Sequence, residues 1–353
     1  MLKTVFPDHV QIQGFVHTPS PAINVGESGL GCRLTTAICS VLFEESHITG
    51  EGSLLTRSMA EFGQILPQLG VDCKLTNGCL PLSTSGQARG ATIQINGSLS
   101  SQYLSGLLMA LPLCTENSII IVDHPTSKPY VDITIDVLKL FNVQINQVSD
   151  YEYHIPGNQN YHCEEMLTIE GDYSAAANWM VLGAINDKGI AISGLRHESL
   201  QGDKAMFLAL ALAGVKSEWT NQSLLIHPCT VRAFEFDANH CPDLFPPLVV
   251  LAAAGKGIST IKGAGRLLHK ESKRGNVLKK EFNKLGLKID LNGDLMTIFG
   301  TGRLTSGKIN AHKDHRIAMA GAISATLAEQ SIQIKGAEAV EKSYPEFWKD
   351  MGI

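Results

Sequence analysis

GQILPQLGVDCKLT, residues 63–76, closes an apolar, helix-like run at Gly70 and continues into a short alternating stretch, VDCKL. A glycine just past a helix is the left-handed cap residue, and the alternation after it has the period of a strand. The same signal returns at steps of 72 residues: Asn142 stands before VQI, Gly214 before VKSEW and Gly286 before LKID. A weaker copy closes the chain at Gly352. Equal long spacings mark repeated supersecondary units. One step back from Gly70 falls just upstream of Met1, so a further copy is expected ahead of it.

A second series runs in the same register. Steps of 72 from Gly29 reach Ser101, Tyr173, Phe245 and Ile317, each at the start of a helical run. The first series has its own helix starts near Ser58, Tyr130, Gly202 and Arg274. Each copy therefore holds two helices and several short strands, an α/β unit. Polar and charged residues gather at corresponding helix starts, where free N–H groups and the helix dipole attract anions.

The length of 353 residues suits two domains. The boundary is placed near Ile169, where the polar PGNQNYHCEE gives way to TIEGDYSAAAN. This gives domains 1–169 and 170–353, with about two copies in the first and three in the second. A net charge of -5 argues against a general nucleic-acid binder. The eight cysteines show no CxxC pair and no zinc-finger spacing to histidine, so they read as reduced, mostly buried thiols of a cytoplasmic protein. No apolar run reaches the roughly 20 residues of a membrane span, and MLKTVFPDHV lacks signal-peptide character.

The chemistry-bearing residues cluster at helix starts. Ser98, Ser100, Ser101 and Gln102 precede YLSGLLMALPL and exceed what one cap needs. Ser127, Lys128 and Tyr130 stand at another start, with Pro129 suited to a first turn. In HKESKR, Lys270 and Arg274 fall four apart on one helical face beside Glu271. KDHR places His315 and Arg316 before a helix of small residues, Lys342 precedes the last helix, and Arg57 holds a matching place in the first half. Cations oppose the dipole at a helix start. Several such sites imply a ligand with more than one anionic group, gripped by arginine forks and lysine point charges. Asp243, at a helix start, and Glu271 read either as dipole partners or as a general acid and base.

Taken together, GESGLGCRL, ITGEGSLLTRS, GSLSSQYLSGLLMALPL, SKPYVDIT, EGDYSAAANW, QGD, HCPDLFPPL, HKESKR, KDHRIAMAGA and EKSYPEF resemble the enolpyruvyl transferases, in the branch that acts on shikimate 3-phosphate. They occur in family order over nearly the whole chain. The resemblance implies two similar domains of repeated βαβαββ units around pseudo-threefold axes, with the active site in the interdomain cleft. It also implies transfer of the enolpyruvyl group of phosphoenolpyruvate to the 5-hydroxyl of shikimate 3-phosphate, by addition and elimination, in aromatic amino-acid biosynthesis. By position, Ser100, Ser101, Gln102, Ser127, Tyr130, Asp243 and Lys270 match contacts to shikimate 3-phosphate. Gly29, Arg57, Gln102, Arg274, Arg316 and Lys342 match contacts to phosphoenolpyruvate. Asp243 matches the base for the 5-hydroxyl, Glu271 the group that moves a proton at the methylene, and His315 and Lys342 stand beside the phosphoenolpyruvate clamp. No metal or organic cofactor is implied, and the partners are the two small-molecule substrates.

The family pattern also opens with a Ser-Lys-Ser turn, carrying a lysine and an arginine, that these residues do not contain. Roughly the first sixty to seventy residues of that pattern are absent, leaving five copies of six. On that expectation the chain alone turns over little, and a monomer forms once the segment is supplied. Glu27 puts a negative charge beside the Gly29 helix start, whereas Arg266 fits as a family variant. The alternatives are the UDP-N-acetylglucosamine enolpyruvyl transferase of the same fold, against which SLSSQY and KDHR count, and a truncated, non-catalytic ligand-binding relic.

Overall fold

The computed structural model describes residues 2–5, 10–13, 20–98, 100–163, 166–221 and 223–353. Met1 and residues 164 and 165 of the expected domain boundary lie outside the described residues, as does the His269 side chain. Internal packing divides the chain into two units, Met1–Pro125 with Thr134–Cys163, and Thr126–Ile133 with Glu164–Ile353. No described helix is long and apolar enough to cross a membrane.

The first unit begins with an antiparallel ribbon of β1 (Leu2–Val5) and β2 (Val10–Gln13). A complete βαβαββ copy follows: β3 (Ala22–Asn24), α1 (Gly29–Leu42), β4 (Glu45–Thr49), α2 (Phe62–Gln68), β5 (Asp72–Thr76) and β6 (Cys79–Ser85). The next copy is β7 (Thr92–Asn96), α3 (Ser101–Ala110), β8 (Ser118–Asp123), α4 (Lys128–Leu140, counted with the second unit through Ile133), β9 (Asn146–Ser149) and β10 (Glu152–Ile155). Both sheets have the same order, β3-β4-β6-β5 and β7-β8-β10-β9. The first two strands run parallel, joined through a helix, and the last two form an antiparallel hairpin. Parallel neighbours need such a crossover, whereas antiparallel ones need only a turn.

The second unit holds three further copies. The first contributes α5 (Tyr173–Ile185), β11 (Ile190–Ser193), α6 (Met206–Leu212), β12 (Ser217–Trp219) and β13 (Ser223–Ile226). The second is complete: β14 (Glu235–Asp237), α7 (Phe245–Ala254), β15 (Lys256–Lys262), α8 (Arg274–Asn283), β16 (Lys288–Asn292) and β17 (Leu295–Thr301), in the order β14-β15-β17-β16. The last has β18 (Gly307–Asn310) parallel to β19 (Ile332–Lys335), with α9 (His315–Ser324) between them and α10 (Phe347–Asp350) after them.

The repeat read from the sequence is thus the structural repeat. Gly29, Ser101, Tyr173 and Phe245 are the first residues of α1, α3, α5 and α7. Gly70, Asn142, Gly214 and Gly286 have φ of 81°, 58°, 86° and 78°, the left-handed cap that ends each second helix, and Gly352 repeats it at 76°. Four expectations shift, one of them at α6, which begins at Met206 instead of near Gly202 because a 3-10 turn takes up Gly202–Ala205. The helix α2 begins at Phe62 instead of near Ser58, because a 3-10 turn over Gly52–Thr56 takes up the preceding chain. The helix α9 begins at His315, two residues before Ile317, because the Asp314 carboxylate accepts the Arg316 N–H and caps it there. VQI is not strand, since Gln144 exchanges its backbone bonds with the Gln159 side chain, and β9 starts only at Asn146.

In the second unit α5, α7 and α9 pack on one another. The sequence FPPLVVLAAA explains why α7 lies at the centre. It is apolar all round, which suits a helix buried on every side, and Phe245 to Ala253 are all buried. Pro246 and Pro247 sit in its first turn, where their missing N–H groups are not needed. This packing brings the polar starts of three helices together.

Candidate active site

The densest cluster of charge in the second unit forms at those helix starts. Asp243 lies in the 3-10 turn Pro242–Leu244 that leads into α7. One carboxylate oxygen meets Arg274 Nη1 at 2.7 Å and Lys270 Nζ at 3.1 Å, and the other meets Arg316 Nη2 at 3.2 Å. Arg274, the first residue of α8, is fully buried and serves three carboxylates. Besides Asp243 it donates to Glu271 at 2.7 Å and to Asp314 through Nε at 2.9 Å and Nη2 at 3.2 Å. Arg316 reaches α5 as well, donating to Ser174 Oγ. Three cations thus face Asp243, Glu271 and Asp314, a balanced set that a buried site needs.

The sequence places Lys270 and Arg274 in one helix; the structure does not. A 3-10 turn over Ala264–His269 comes first, Lys270 follows it in extended backbone, and α8 starts only at Arg274, with Lys273 as a cap that makes no side-chain bond. The pair nevertheless converges on Asp243, through the turn.

Burial alone would raise these carboxyls. For Asp243, the charges of Arg316, Lys270 and Arg274 overcome burial and hold it well below the usual range. Glu271 is lowered chiefly by Arg274 against the same opposition, and Asp314 likewise. His315, the first residue of α9, goes the other way for its class: burial and the neighbouring Arg316 lower it to about 4. It is therefore neutral at pH 7, and its Nδ1 is buried with no hydrogen-bond partner among the described residues.

A second group adjoins the first. The Tyr130 hydroxyl, in the first turn of α4, donates to Asp203 Oδ2 at 3.3 Å. Asp203 is pushed up to about 7 by burial and then by Asp243, with Arg316 pulling it back. Ser127 is buried, with φ of 56°, and its hydroxyl accepts from Arg266 Nη2 at 2.7 Å. Lys342 closes the 3-10 turn Ala337–Lys342. Val340 and Phe347 anchor that segment in a small core with Ala318 and Met319 of α9.

In the first unit, Ser100 caps α3 by accepting the Gln102 N–H at 3.2 Å, and Ser101 is buried. Gln102 Oε1 accepts from Arg33 Nη1 at 2.8 Å. Gly29 starts α1 directly under two guanidinium groups. A Cβ there would lie 2.9 Å from Arg57 Nη1 and 3.1 Å from Arg33 Nη1, so a side chain would displace both cations from the helix start. Glu27 is turned onto the Gly52–Ser53 turn, where it accepts from Ser53 Oγ at 3.0 Å.

Asp203, Asp314, Ser174 and Arg33 carry no assignment in the sequence reading. For Asp314 a signal existed. Asp172, Asp243 and Asp314 are spaced by 71 residues, just before α5, α7 and α9, so a carboxylate recurs at each central helix start. Arg33 had a weaker one, a charge within the apolar run of α1 that turns out to be buried. Of the eight cysteines, all free, four are buried and four only partly so, fewer than the sequence reading expects.

The sequence profile of EPSP synthase (3-phosphoshikimate 1-carboxyvinyltransferase) matches residues 3–351. A protein of Clostridium kluyveri named 3-phosphoshikimate 1-carboxyvinyltransferase is 38% identical over 336 residues, covering 95% of this chain and 78% of that protein. One of Methanocorpusculum labreanum with the same name is 34% identical over 349 residues, covering 98% and 82%. Among solved structures, an EPSP synthase from Acinetobacter baumannii superposes with a TM-score of 0.77 at 24% identity, over 93% of this chain and 77% of that one. That likeness establishes the shared fold.

Proposed function

The chain belongs to the EPSP synthase family, and from that premise we propose how its residues divide the work. The family reaction, carried out in aromatic amino-acid biosynthesis, transfers the enolpyruvyl group of phosphoenolpyruvate to shikimate 3-phosphate. Both substrates bring phosphate, and phosphoenolpyruvate brings a carboxylate too. The observation that carries the assignment is the convergence of Lys270, Arg274 and Arg316 on Asp243. Lys270, Ser127 and Tyr130, with Ser100, Ser101 and Gln102, hold shikimate 3-phosphate. Arg274, Arg316 and Lys342, with Gly29, Arg57 and Gln102, hold phosphoenolpyruvate.

In the addition step the 5-hydroxyl oxygen bonds to C2 of phosphoenolpyruvate. Asp243 takes the hydroxyl proton while Glu271, which takes up a proton from solvent once substrate anions offset the charge of Arg274, delivers it to the methylene, making it a methyl. In the elimination step the methyl gives a proton back to Glu271, the double bond re-forms as the bond from C2 to the phosphate oxygen breaks, and phosphate leaves with the proton that Asp243 took. As it stands Asp243 is a weak base, because three cations stabilise its charged form. Substrate anions that draw those cations to themselves raise its basicity where the proton must be taken. His315, neutral at pH 7, lines this clamp and adds no charge to it. A monomeric, cytoplasmic enzyme completes the proposal. Eight free thiols suit a reducing compartment, and light scattering on the purified chain reads the oligomeric state.

The test is phosphate release from phosphoenolpyruvate. Release is expected to depend on shikimate 3-phosphate, and Asp243→Asn is expected to lower it about 10²-fold or more. Release that ignores shikimate 3-phosphate, or an unimpaired variant, contradicts the assignment.

A further inference from the structure

The turn that aims His315 and Arg316 is held at two points by one face of α8. Residues 312 and 313 are the only successive non-glycine residues with left-handed backbone among those described, at φ of 52° for His312 and 59° for Lys313. Side chains rarely adopt this conformation unless the surroundings impose it. At its far end the turn is tied to Arg274 through Asp314. At its near end Glu281, fully buried on α8, accepts the Asn310 N–H at 2.9 Å and pairs with His312 Nε2 at 2.9 Å. Asn310 Oδ1 in turn accepts the His312 N–H at 2.7 Å, and the Asp314 N–H closes the turn on Ala311 O at 2.9 Å. Lys284 Nζ also bonds Glu281 and completes its shell.

Arg274 and Glu281 are seven residues apart, two helical turns on one face, or about 10 Å along the axis. A rigid helix thereby fixes the distance between the two ends of the turn. A buried carboxylate is costly unless its acceptors are filled. An apolar residue at position 281 would leave the Asn310 N–H and the His312 ring without their acceptor.

We propose that Glu281 is a positioning residue: it holds the left-handed turn at residues 310–313 and so sets where Arg316 meets phosphoenolpyruvate. This rests on the reading above that Arg316 holds that substrate. Three variants of the full chain separate the two. Glu281→Ala is expected to raise KM for phosphoenolpyruvate about tenfold while KM for shikimate 3-phosphate stays within about twofold. Its Asn310 and Asp314 amides are expected to exchange hydrogen at least about tenfold faster, with amides in the body of α8 unchanged. Glu281→Gln, which keeps an acceptor, is expected to restore much of both. His312→Ala, at a more exposed site, is expected to shift both in the same direction and serves if Glu281→Ala does not fold. Unchanged exchange at Asn310 and Asp314 overturns the proposal. So does a uniform loss of protection with both KM values raised alike, which marks a general stabilising role. Arg316→Ala is the control. If it leaves KM for phosphoenolpyruvate unchanged, the substrate assignment fails, and the exchange data alone still judge Glu281.

Discussion

Two helix starts in this molecule solve one electrostatic problem in opposite ways. At α1 in the first unit, Arg33 is met by neutral groups: the Gly29 carbonyl, the Gln102 amide oxygen and, 4.9 Å away, the face of the Tyr103 ring. At the start of α8 in the second unit, Arg274 is met by three carboxylates. Both place a cation where the helix dipole opposes it. A neutral lining stabilises the arginine without cancelling its charge, so the field remains for a ligand. A carboxylate lining cancels the charge and in exchange brings groups that can take and give protons. On the assignment proposed above, the same repeated unit supplies anion binding in one place and acid–base chemistry in another.

That contrast breaks most visibly in stability. Arg274→Met strips a partner from the buried Asp314 and the half-buried Asp243 and Glu271, and is expected to destabilise folding by about 3–5 kcal/mol. Arg33→Met leaves only neutral acceptors unsatisfied and is expected to cost about 1–3 kcal/mol. Urea titrations of the two variants measure the difference; equal losses would erase the distinction.

The next effect is on turnover. Glu271→Gln is expected to lower kcat about 10²-fold or more, as for a group that moves a proton in the transition state. Gln102→Ala, in the neutral lining, is expected to raise KM about tenfold with little change in kcat. Steady-state kinetics with both substrates varied decides this, and a kcat defect in Gln102→Ala matching that of Glu271→Gln would merge the two roles.

The smallest effect is a pair of opposed pH slopes. His315 has a folded pKa of about 4 against an ordinary 6.5, so the unfolded chain binds its proton first, and stability from this group falls as pH drops from about 6.5 to about 4. Asp203 has a folded pKa of about 7 against 3.8, so its contribution is full at low pH and is lost as pH rises through about 7. The parent chain combines the two slopes. Melting temperature against pH is expected to rise with pH in Asp203→Asn and to fall with pH in His315→Asn over that window. Parallel curves for the two variants would show that these groups do not carry the charge states assigned to them.

Much of this was legible beforehand, for definable reasons. Helix ends are local events, so Gly70, Asn142, Gly214 and Gly286 announce themselves by residue type, and their spacing yields the repeat. The cations stood out because they sit at the unfavourable end of a helix. Which carboxylate meets which cation was not legible, since the Asp243 contacts are made by tertiary packing, with Lys270 and Arg274 from later in the same copy and Arg316 from the next. The conformation of Lys270 is hidden from the sequence for a related reason. HKESKR has helical spacing, but the extended chain after the Ala264–His269 turn delivers Lys270 to Asp243 without a helix. Glu281 was invisible because a buried glutamate within KKEFNK has the pattern of a solvated helical face.

The most direct measurement is calorimetric titration of the chain with shikimate 3-phosphate beside unphosphorylated shikimate, repeated with Lys270→Ala. A clear binding heat is expected for the phosphate ester, a much weaker one for shikimate, and loss of most of the difference in Lys270→Ala. Equal heats for the two ligands, or none for either, would contradict the assignment.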